Sequence, residues 1–181
     1  PAISESDYAL GDATKAMAQM VVYEDFTNPY SRSYYEILTQ VQKEFGDQLA
    51  LYVRPYFEAD NDLALLAQTA AVCAGEQQKF LEMRSWLMTQ DLLSEMTMVD
   101  GAKEIGLNES KFSTCLNNSE VQGKISRSVE AVRGNVVYGA PTSFLNGEII
   151  IGARAMEETT SSAGEKLEGL KSIVNRNIIK K

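Results

Sequence analysis

The residues of this chain that could do chemistry centre on one turn, Asn28-Pro29-Tyr30-Ser31, which offers a side-chain amide and a hydroxyl. A serine becomes a nucleophile only when an adjacent base takes its proton. The chain has no histidine, so Ser-His and Cys-His catalysis and every histidine-ligated metal site are excluded. Glu24 and Asp25 precede the turn, and at the end of a strand we expect both to be solvated and unsuited to activate Ser31. The residues themselves therefore assign no catalytic group and no metal site.

Asn28 admits two interpretations. As the residue before a helix, it predicts an N-cap whose side-chain oxygen accepts hydrogen bonds from amides of the first turn. Alternatively, those amides and the positive end of the helix dipole could hold a carboxylate or thiolate of a ligand.

The two cysteines, Cys73 and Cys115, lie 42 residues apart and are too few for a four-cysteine zinc site. From the residues alone they are either one disulfide or two buried thiols that pack as small hydrophobic groups.

The composition of the chain argues against two classes of binding partner. The chain has 181 residues, 44% of them hydrophobic, and a net charge of −8. Nucleic acids and anionic membranes require a basic face, so this balance argues against both. No apolar run approaches the ~20 residues that span a bilayer. No signal peptide is visible, and a chain that begins at Pro1 is consistent with removal of a leader or a membrane tether.

The elements that must position the turn can be read from local pattern. Residues 1–16 predict an extended lead-in, and the apolar run 20–23 predicts a central strand buried on both faces. Asn28 and Pro29 favour the start of a helix that runs to about residue 45. With a second strand over 49–57, this order predicts a right-handed βαβ unit.

The rest of the chain changes pattern twice. Apolar residues recur at helical spacing through the middle of the chain. The stripes are Leu66, Ala70 and Cys73; Phe80, Met83 and Leu87; Met98, Ala102 and Ile105; Phe112, Cys115 and Leu116; and Val121, Ile125, Val129 and Val132. Two short strands, 142–145 and 148–151, then flank Asn146-Gly147, which predicts a tight hairpin. A final helix is predicted from about residue 167. The order predicts an α/β, thioredoxin-like fold with an all-helical insertion.

Five segments resemble the DsbA-like branch of the thioredoxin superfamily, the secreted or membrane-anchored bacterial disulfide oxidoreductases, nearly from end to end. They are Leu10–Ala13, the strand and turn Met20–Ser31, Cys73–Phe80, Phe112–Leu116 and the loop and hairpin Gly139–Gly147. Each motif is weak alone, and their order makes them specific for the fold.

The resemblance also shows which functional groups are missing. In that family the turn is C-P-Y-C, so Asn28 stands at the nucleophilic cysteine and Ser31 at the resolving one. The buried acid that the family often keeps six residues before the first cysteine is Val22 here. The resemblance further implies a Cys73–Cys115 disulfide, an oxidising compartment and a cis bond before Pro141. The backbone of Ala140 would then pair with an extended peptide.

These observations together predict one DsbA-like domain over residues 1–181, with a thioredoxin core at about 17–58 and 138–179 and a helical insertion at about 60–137. The predicted function is binding of an extracytoplasmic polypeptide, or a chaperone-like role, without dithiol redox activity and without a cofactor. The protein is expected to be periplasmic or secreted. The predicted binding residues are Asn28, Tyr30, Ser31, Ala140, Pro141 and Thr142, with Tyr34 and Tyr138 as further candidates to line a groove.

Two enzyme alternatives remain. Kappa-class glutathione transferases and related isomerases carry S-P-Y-S at this turn, so the chain is also compatible with a glutathione-dependent enzyme that uses Asn28 and Ser31. The other alternative is a thiol-disulfide oxidoreductase whose native cysteines at 28 and 31 were substituted.

Overall fold

Apolar strands build a five-stranded sheet in the computed structural model of this chain, which describes residues 1–4 and 7–179. The spatial order is β1-β3-β2-β4-β5, with strands β1 (Tyr8–Leu10), β2 (Ala18–Glu24), β3 (Leu49–Pro55), β4 (Thr142–Leu145) and β5 (Glu148–Ile151). Strand β2 is central, and Met20, Val21 and Val22 are at most 3% exposed. Burial on both faces explains why this strand reads as a continuous apolar run.

The hairpin of β4 and β5 has the bounds that the sequence predicts. Its strands pair antiparallel, with Thr142 opposite Ile151 and Leu145 opposite Glu148. Asn146 and Gly147 both have positive φ, 48° and 90°, which is the backbone that an Asn-Gly turn supplies at low cost. Strand β4 also pairs antiparallel with β2, so the hairpin extends the sheet beside the central strand.

The sheet belongs to a unit formed by residues 1–23, 33–54 and 141–181. Helix α1 (Pro29–Phe45) contributes most of its length to this unit and is followed by Gly46, whose φ is 52°. A short ribbon, β6 (Thr159–Thr160) and β7 (Lys166–Leu167), precedes helix α7 (Leu170–Ile179). The predicted lead-in is partly a strand, because β1 pairs antiparallel with β3; its residues 5 and 6 lie outside the described part of the chain.

Helices dominate a second unit, residues 24–32 and 55–140. They are α2 (Asp62–Gly75), α3 (Phe80–Thr89), α4 (Glu95–Glu104), α5 (Glu109–Leu116) and α6 (Ser119–Val132). Most residues of the predicted stripes are buried and form the packed faces of these helices: Ala70, Cys73, Phe80, Met83, Leu87, Met98, Ala102, Phe112, Cys115, Leu116, Ile125 and Val129. Leu66, Ile105, Val121 and Val132 of the same stripes are only half-buried. Burial of these faces is the main stabilising term for short helices of this kind.

A disulfide joins Cys73 on α2 to Cys115 on α5, with 5.7 Å between the two Cα atoms.

The α/β, thioredoxin-like fold with a helical insertion is confirmed. Among the described residues, no helix combines the length and apolar character needed to cross a bilayer.

Candidate functional site: the turn at Asn28–Ser31

Asn28 caps helix α1. Its side-chain Oδ1 accepts hydrogen bonds from the backbone N–H of Tyr30 at 2.8 Å and of Ser31 at 3.3 Å. Pro29 has no N–H, and the N–H of Arg32 donates to the backbone carbonyl of Asn28 at 3.1 Å. The first-turn amides are thus satisfied by Asn28 itself, and an anion at this helix end would have to displace its side chain.

Ser31 faces inward. Its side chain is fully buried, and its Oγ accepts a hydrogen bond from the backbone N–H of Asp25 at 3.2 Å. The hydroxyl therefore ties the first turn of α1 to the segment that follows β2. Its predicted role in ligand binding stays a prediction.

Asp25 holds the segment between β2 and α1. Its Oδ1 accepts from the backbone N–H of Thr27 at 2.8 Å and from the Thr27 hydroxyl at 2.7 Å, and its carbonyl accepts from the N–H of Asn28. The side chain is only 5% exposed. Burial raises the pKa of the Asp25 carboxyl, and the charge of Glu58 acts in the same direction, while the Thr27 hydrogen bonds act against them.

Glu24 forms a buried ion pair with Arg84 on α3. The Nε and Nη2 atoms of Arg84 donate to the two carboxylate oxygens at 2.8 and 2.6 Å, and both side chains are nearly inaccessible to solvent. The backbone carbonyl of Glu24 also accepts from the N–H of Tyr56 and from the side-chain amide of Gln68. The expectation that Glu24 and Asp25 are solvated is therefore wrong: one is paired inside the helical unit and the other is buried against its own loop.

Arg32 makes a second link to α3. Its Nε donates to the carbonyl of Met88 at 3.2 Å, and its Nη2 donates to that of Leu87 at 3.3 Å. These carbonyls lie in the last turn of α3, where they lack partners within the helix. Helix α3 is thus bonded by Arg84 to the residue where β2 ends and by its last turn to the start of α1.

Two of the three tyrosines proposed to line a groove are exposed. Tyr30 is 68% exposed and Tyr138 is 74% exposed, and both belong to the helical unit. Tyr34 instead is fully buried in the sheet unit, where its hydroxyl accepts a hydrogen bond from the Ser143 Oγ at 3.3 Å. The prediction that Tyr34 lines a groove is wrong, because the side chain packs in the core.

The predicted binding residues just before the hairpin, Ala140, Pro141 and Thr142, do not all belong to the same unit. Ala140 is half-buried and ends the helical unit. Pro141 and Thr142 are buried in the sheet unit, where the Pro141 carbonyl accepts from the N–H of Gly152 and Thr142 pairs with Tyr23 in the sheet. The pairing of the Ala140 backbone with a peptide stays a prediction.

The arrangement supplies no group for dithiol exchange at the turn. Positions 28 and 31 carry an amide and a hydroxyl, and both cysteines of the chain are bonded to each other. No cluster of three or more metal-ligating side chains occurs among residues 1–4 and 7–179. The turn presents the exposed side chain of Tyr30 and a helix end that Asn28 caps.

Sequence reasoning missed the roles of Arg84 and Arg32. Both lie in segments that read as amphipathic helices, where a charged residue normally marks the solvent face. A signal was available for Arg84, because it follows Met83 and precedes Leu87 within the apolar stripe of α3 and so lies beside its buried face. A cation at such a position calls for a buried acid.

Comparison with known proteins agrees with this architecture. The fold, with a turn at Asn28–Ser31 between the central strand and α1, is that of the thioredoxin class. Residues 4–162 match the thioredoxin family, and the chain belongs to that family.

Individual relatives are distant. A curated protein, the Na(+)/H(+) antiporter NhaA 3 of Salinispora tropica, is 26% identical over 81% of this chain, which spans only 22% of that protein's length. Among solved structures, a thioredoxin-like oxidoreductase from Silicibacter pomeroyi aligns with a TM-score of 0.76 at 17% identity, covering 98% of this chain and 92% of that one. The thiol-disulfide exchange protein alpha-DsbA2 from Wolbachia pipientis aligns with a TM-score of 0.73 at 17% identity, covering 95% and 87%. The fold is therefore that of the DsbA-like proteins, as the sequence motifs predict.

Proposed function

We propose that this protein is a DsbA-like binding module that holds an extended polypeptide and performs no dithiol redox chemistry. The observation that carries the proposal is the turn itself: Asn28 and Ser31 occupy the two positions where exchange needs sulfur, and Asn28 serves as a helix cap. A disulfide cannot form between an amide and a hydroxyl. The chain therefore has the fold of an oxidoreductase but lacks the two cysteine thiols that would exchange electrons.

Exposed aromatic side chains support binding of a polypeptide. Tyr30 lies in the turn and is 68% exposed, and Tyr138 lies two residues before Ala140 and is 74% exposed. Tyrosine is enriched at protein interfaces because its ring provides contact area at little cost in side-chain entropy. Small side chains at Gly139 and Ala140 would leave the backbone accessible to an extended client.

The disulfide supports an extracytoplasmic location. Disulfides persist in oxidising compartments and are rare in the cytosol. The Cys73–Cys115 bond joins two helices of the helical unit, and both cysteines are buried. Periplasmic or secreted conditions are the ones in which such a bond would be maintained.

Binding can be tested with an unfolded polypeptide as the probe. Fluorescence anisotropy of labelled, reduced and carboxymethylated α-lactalbumin should report saturable binding to the whole chain. Tyr30→Ala and Tyr138→Ala should each weaken it by about fivefold or more, as truncation of an interface aromatic typically does. Met96→Ala is the matched control, since Met96 is 73% exposed in the same unit and is expected to leave binding unchanged. No saturable binding, or equal effects of all three variants, would refute the proposal.

The glutathione alternative gains no support from the turn. The amides of Tyr30 and Ser31 donate to Asn28, and the Ser31 hydroxyl is buried. A glutathione thiolate would have to displace the cap before it could use those donors.

A further inference from the structure

An open cavity of about 370 Å³ lies in the helical unit beside the disulfide. It is bounded by the residue after α2, by α5 and by the start of α6. Its lining includes Glu76, Ser110, Lys111, Thr114, Cys115 and Asn118. The predicted binding turn contributes no residue to this lining.

The disulfide is asymmetric with respect to this cavity. Cys115 lines the cavity and is 8% exposed, whereas Cys73 is absent from the lining and only 1% exposed. Thiol-disulfide exchange begins with attack of a thiolate on one sulfur, and access decides which one is attacked. Both residues are buried, and Cys115 is the more accessible of the two and the one that lines the cavity.

Charges around the cavity favour a particular kind of thiol. Lys111 and Cys115 are four residues apart on α5, so their side chains lie on the same face of that helix. The Lys111 ammonium attracts a carboxylate or an incoming thiolate, and Glu76 attracts an ammonium group. The Ser110 and Thr114 hydroxyls add hydrogen-bonding capacity. A small thiol with both a carboxylate and an ammonium group matches this set.

We propose that Cys115 is a site of reversible S-thiolation by a low-molecular-weight, zwitterionic thiol that enters through this cavity. The thiolate attacks the Sγ of Cys115 and forms a new S–S bond to it, while the Cys73–Cys115 bond breaks. Cys73 leaves as a thiolate and takes a proton from water. The product is one mixed disulfide at Cys115 and one thiol at Cys73, and the attack of Cys73 on that mixed disulfide reverses the step.

The volume of the cavity, about 370 Å³, is sufficient for a small thiol. The site is independent of Asn28 and Ser31, so it neither requires nor excludes polypeptide binding at the turn.

The test uses reduced glutathione as the probe and the full chain under native conditions. After incubation with millimolar glutathione and acid quenching, intact mass under non-reducing conditions should show one added glutathione. Tryptic mapping should place it on the peptide of residues 112–124, which contains Cys115 and lacks Cys73.

The Lys111→Ala variant should slow adduct formation by about two- to fivefold, the range expected for loss of one partly screened charge. Lys103→Ala is the matched control, because Lys103 is also an exposed helical lysine and does not line the cavity. Circular dichroism of both variants checks that they remain folded. An adduct on Cys73, no adduct, or equal rates for the two variants would overturn the proposal.

Discussion

Arg84 reaches Glu24 through two parallel hydrogen bonds inside the helical unit, with the two side chains 4% and 1% exposed. Glu24 is the last residue of β2 and lies four residues before Asn28 along the chain. A carboxylate without solvent needs a bound cation, and the planar guanidinium provides a bidentate one. The ion pair therefore holds Glu24 in place at the end of β2, just before the turn that forms the candidate site.

Removing one partner of this pair should be strongly destabilising. Arg84→Met leaves Glu24 buried without its cation, and we expect a loss of about 3–5 kcal/mol in the free energy of unfolding. Urea unfolding at neutral pH measures the change. The double variant Glu24→Leu/Arg84→Met should lose less than the single one, since no charge is left unpaired.

The surface pair of Lys166 and Glu158 provides the control, because its side chains are 77% and 60% exposed. Lys166→Met should change the free energy of unfolding by no more than about 0.5 kcal/mol. Similar losses for Arg84→Met and Lys166→Met would mean that the buried pair does not hold the helical unit together.

The Asn28 cap of helix α1 should contribute measurably to the free energy of unfolding. Asn28→Ala removes the acceptor for two backbone amides and should cost about 1 kcal/mol in unfolding free energy. Asn28→Asp keeps the acceptor and adds a negative charge at the positive helix end, so it should be at least as stable as the unaltered chain at neutral pH. Asn135→Ala, in the exposed turn after α6, is the matched control. If Asn28→Ala has the same free energy of unfolding as the unaltered chain, then Asn28 does not stabilise the helix as a cap.

The disulfide should stabilise the folded chain. Its loop spans 42 residues, and the chain-entropy relation gives a contribution of about 3–4 kcal/mol. Cys73→Ser/Cys115→Ser should lower the urea midpoint accordingly. Adding dithiothreitol should bring the unaltered chain down to the same midpoint and leave the double variant unchanged. A midpoint that is insensitive to reductant in the unaltered chain would contradict this expectation.

Asp25 predicts a pH dependence of a definite sign. Burial holds the pKa of its carboxyl above the ordinary value of 3.8, so the folded state binds a proton more readily than the unfolded one. Ionisation of this buried carboxyl lowers the free energy of unfolding. This loss is absent below pH 3.8 and grows as the pH rises through the raised pKa of the folded state. Asp25→Asn keeps an acceptor for Thr27 and should be more stable than the unaltered chain at pH 7. The difference should narrow toward acid pH in urea titrations, and a difference that widens there would reverse the sign.

Much of the fold was predictable because local chemistry and tertiary context agree. The hairpin was found with its bounds, since Asn146-Gly147 demands positive φ at two successive residues and the flanking strands carry apolar residues. Helix α1 was found because a cap, a proline and a glycine mark its ends. Strand β1 was not recognised, since its three residues pair with β3 and carry no pattern of their own.

Side-chain environments at the turn were harder to predict. Glu24 and Asp25 look like solvated acids until Arg84, sixty residues away in the chain, is placed beside the first of them. Tyr34 and Tyr30 lie on one short helical segment, yet one is buried and the other exposed. Such contrasts depend on long-range packing, which a single sequence does not display.

The most direct test of the account is the dithiothreitol-dependent reduction of insulin by the unaltered chain. Because Asn28 and Ser31 carry no sulfur and the chain's two cysteines, Cys73 and Cys115, are buried and bonded to each other, we predict a rate equal to the uncatalysed background. The variant Asn28→Cys/Ser31→Cys is the positive control and should exceed that rate, since it restores both thiols at the start of helix α1. Catalytic turnover of insulin by the unaltered chain would contradict the account.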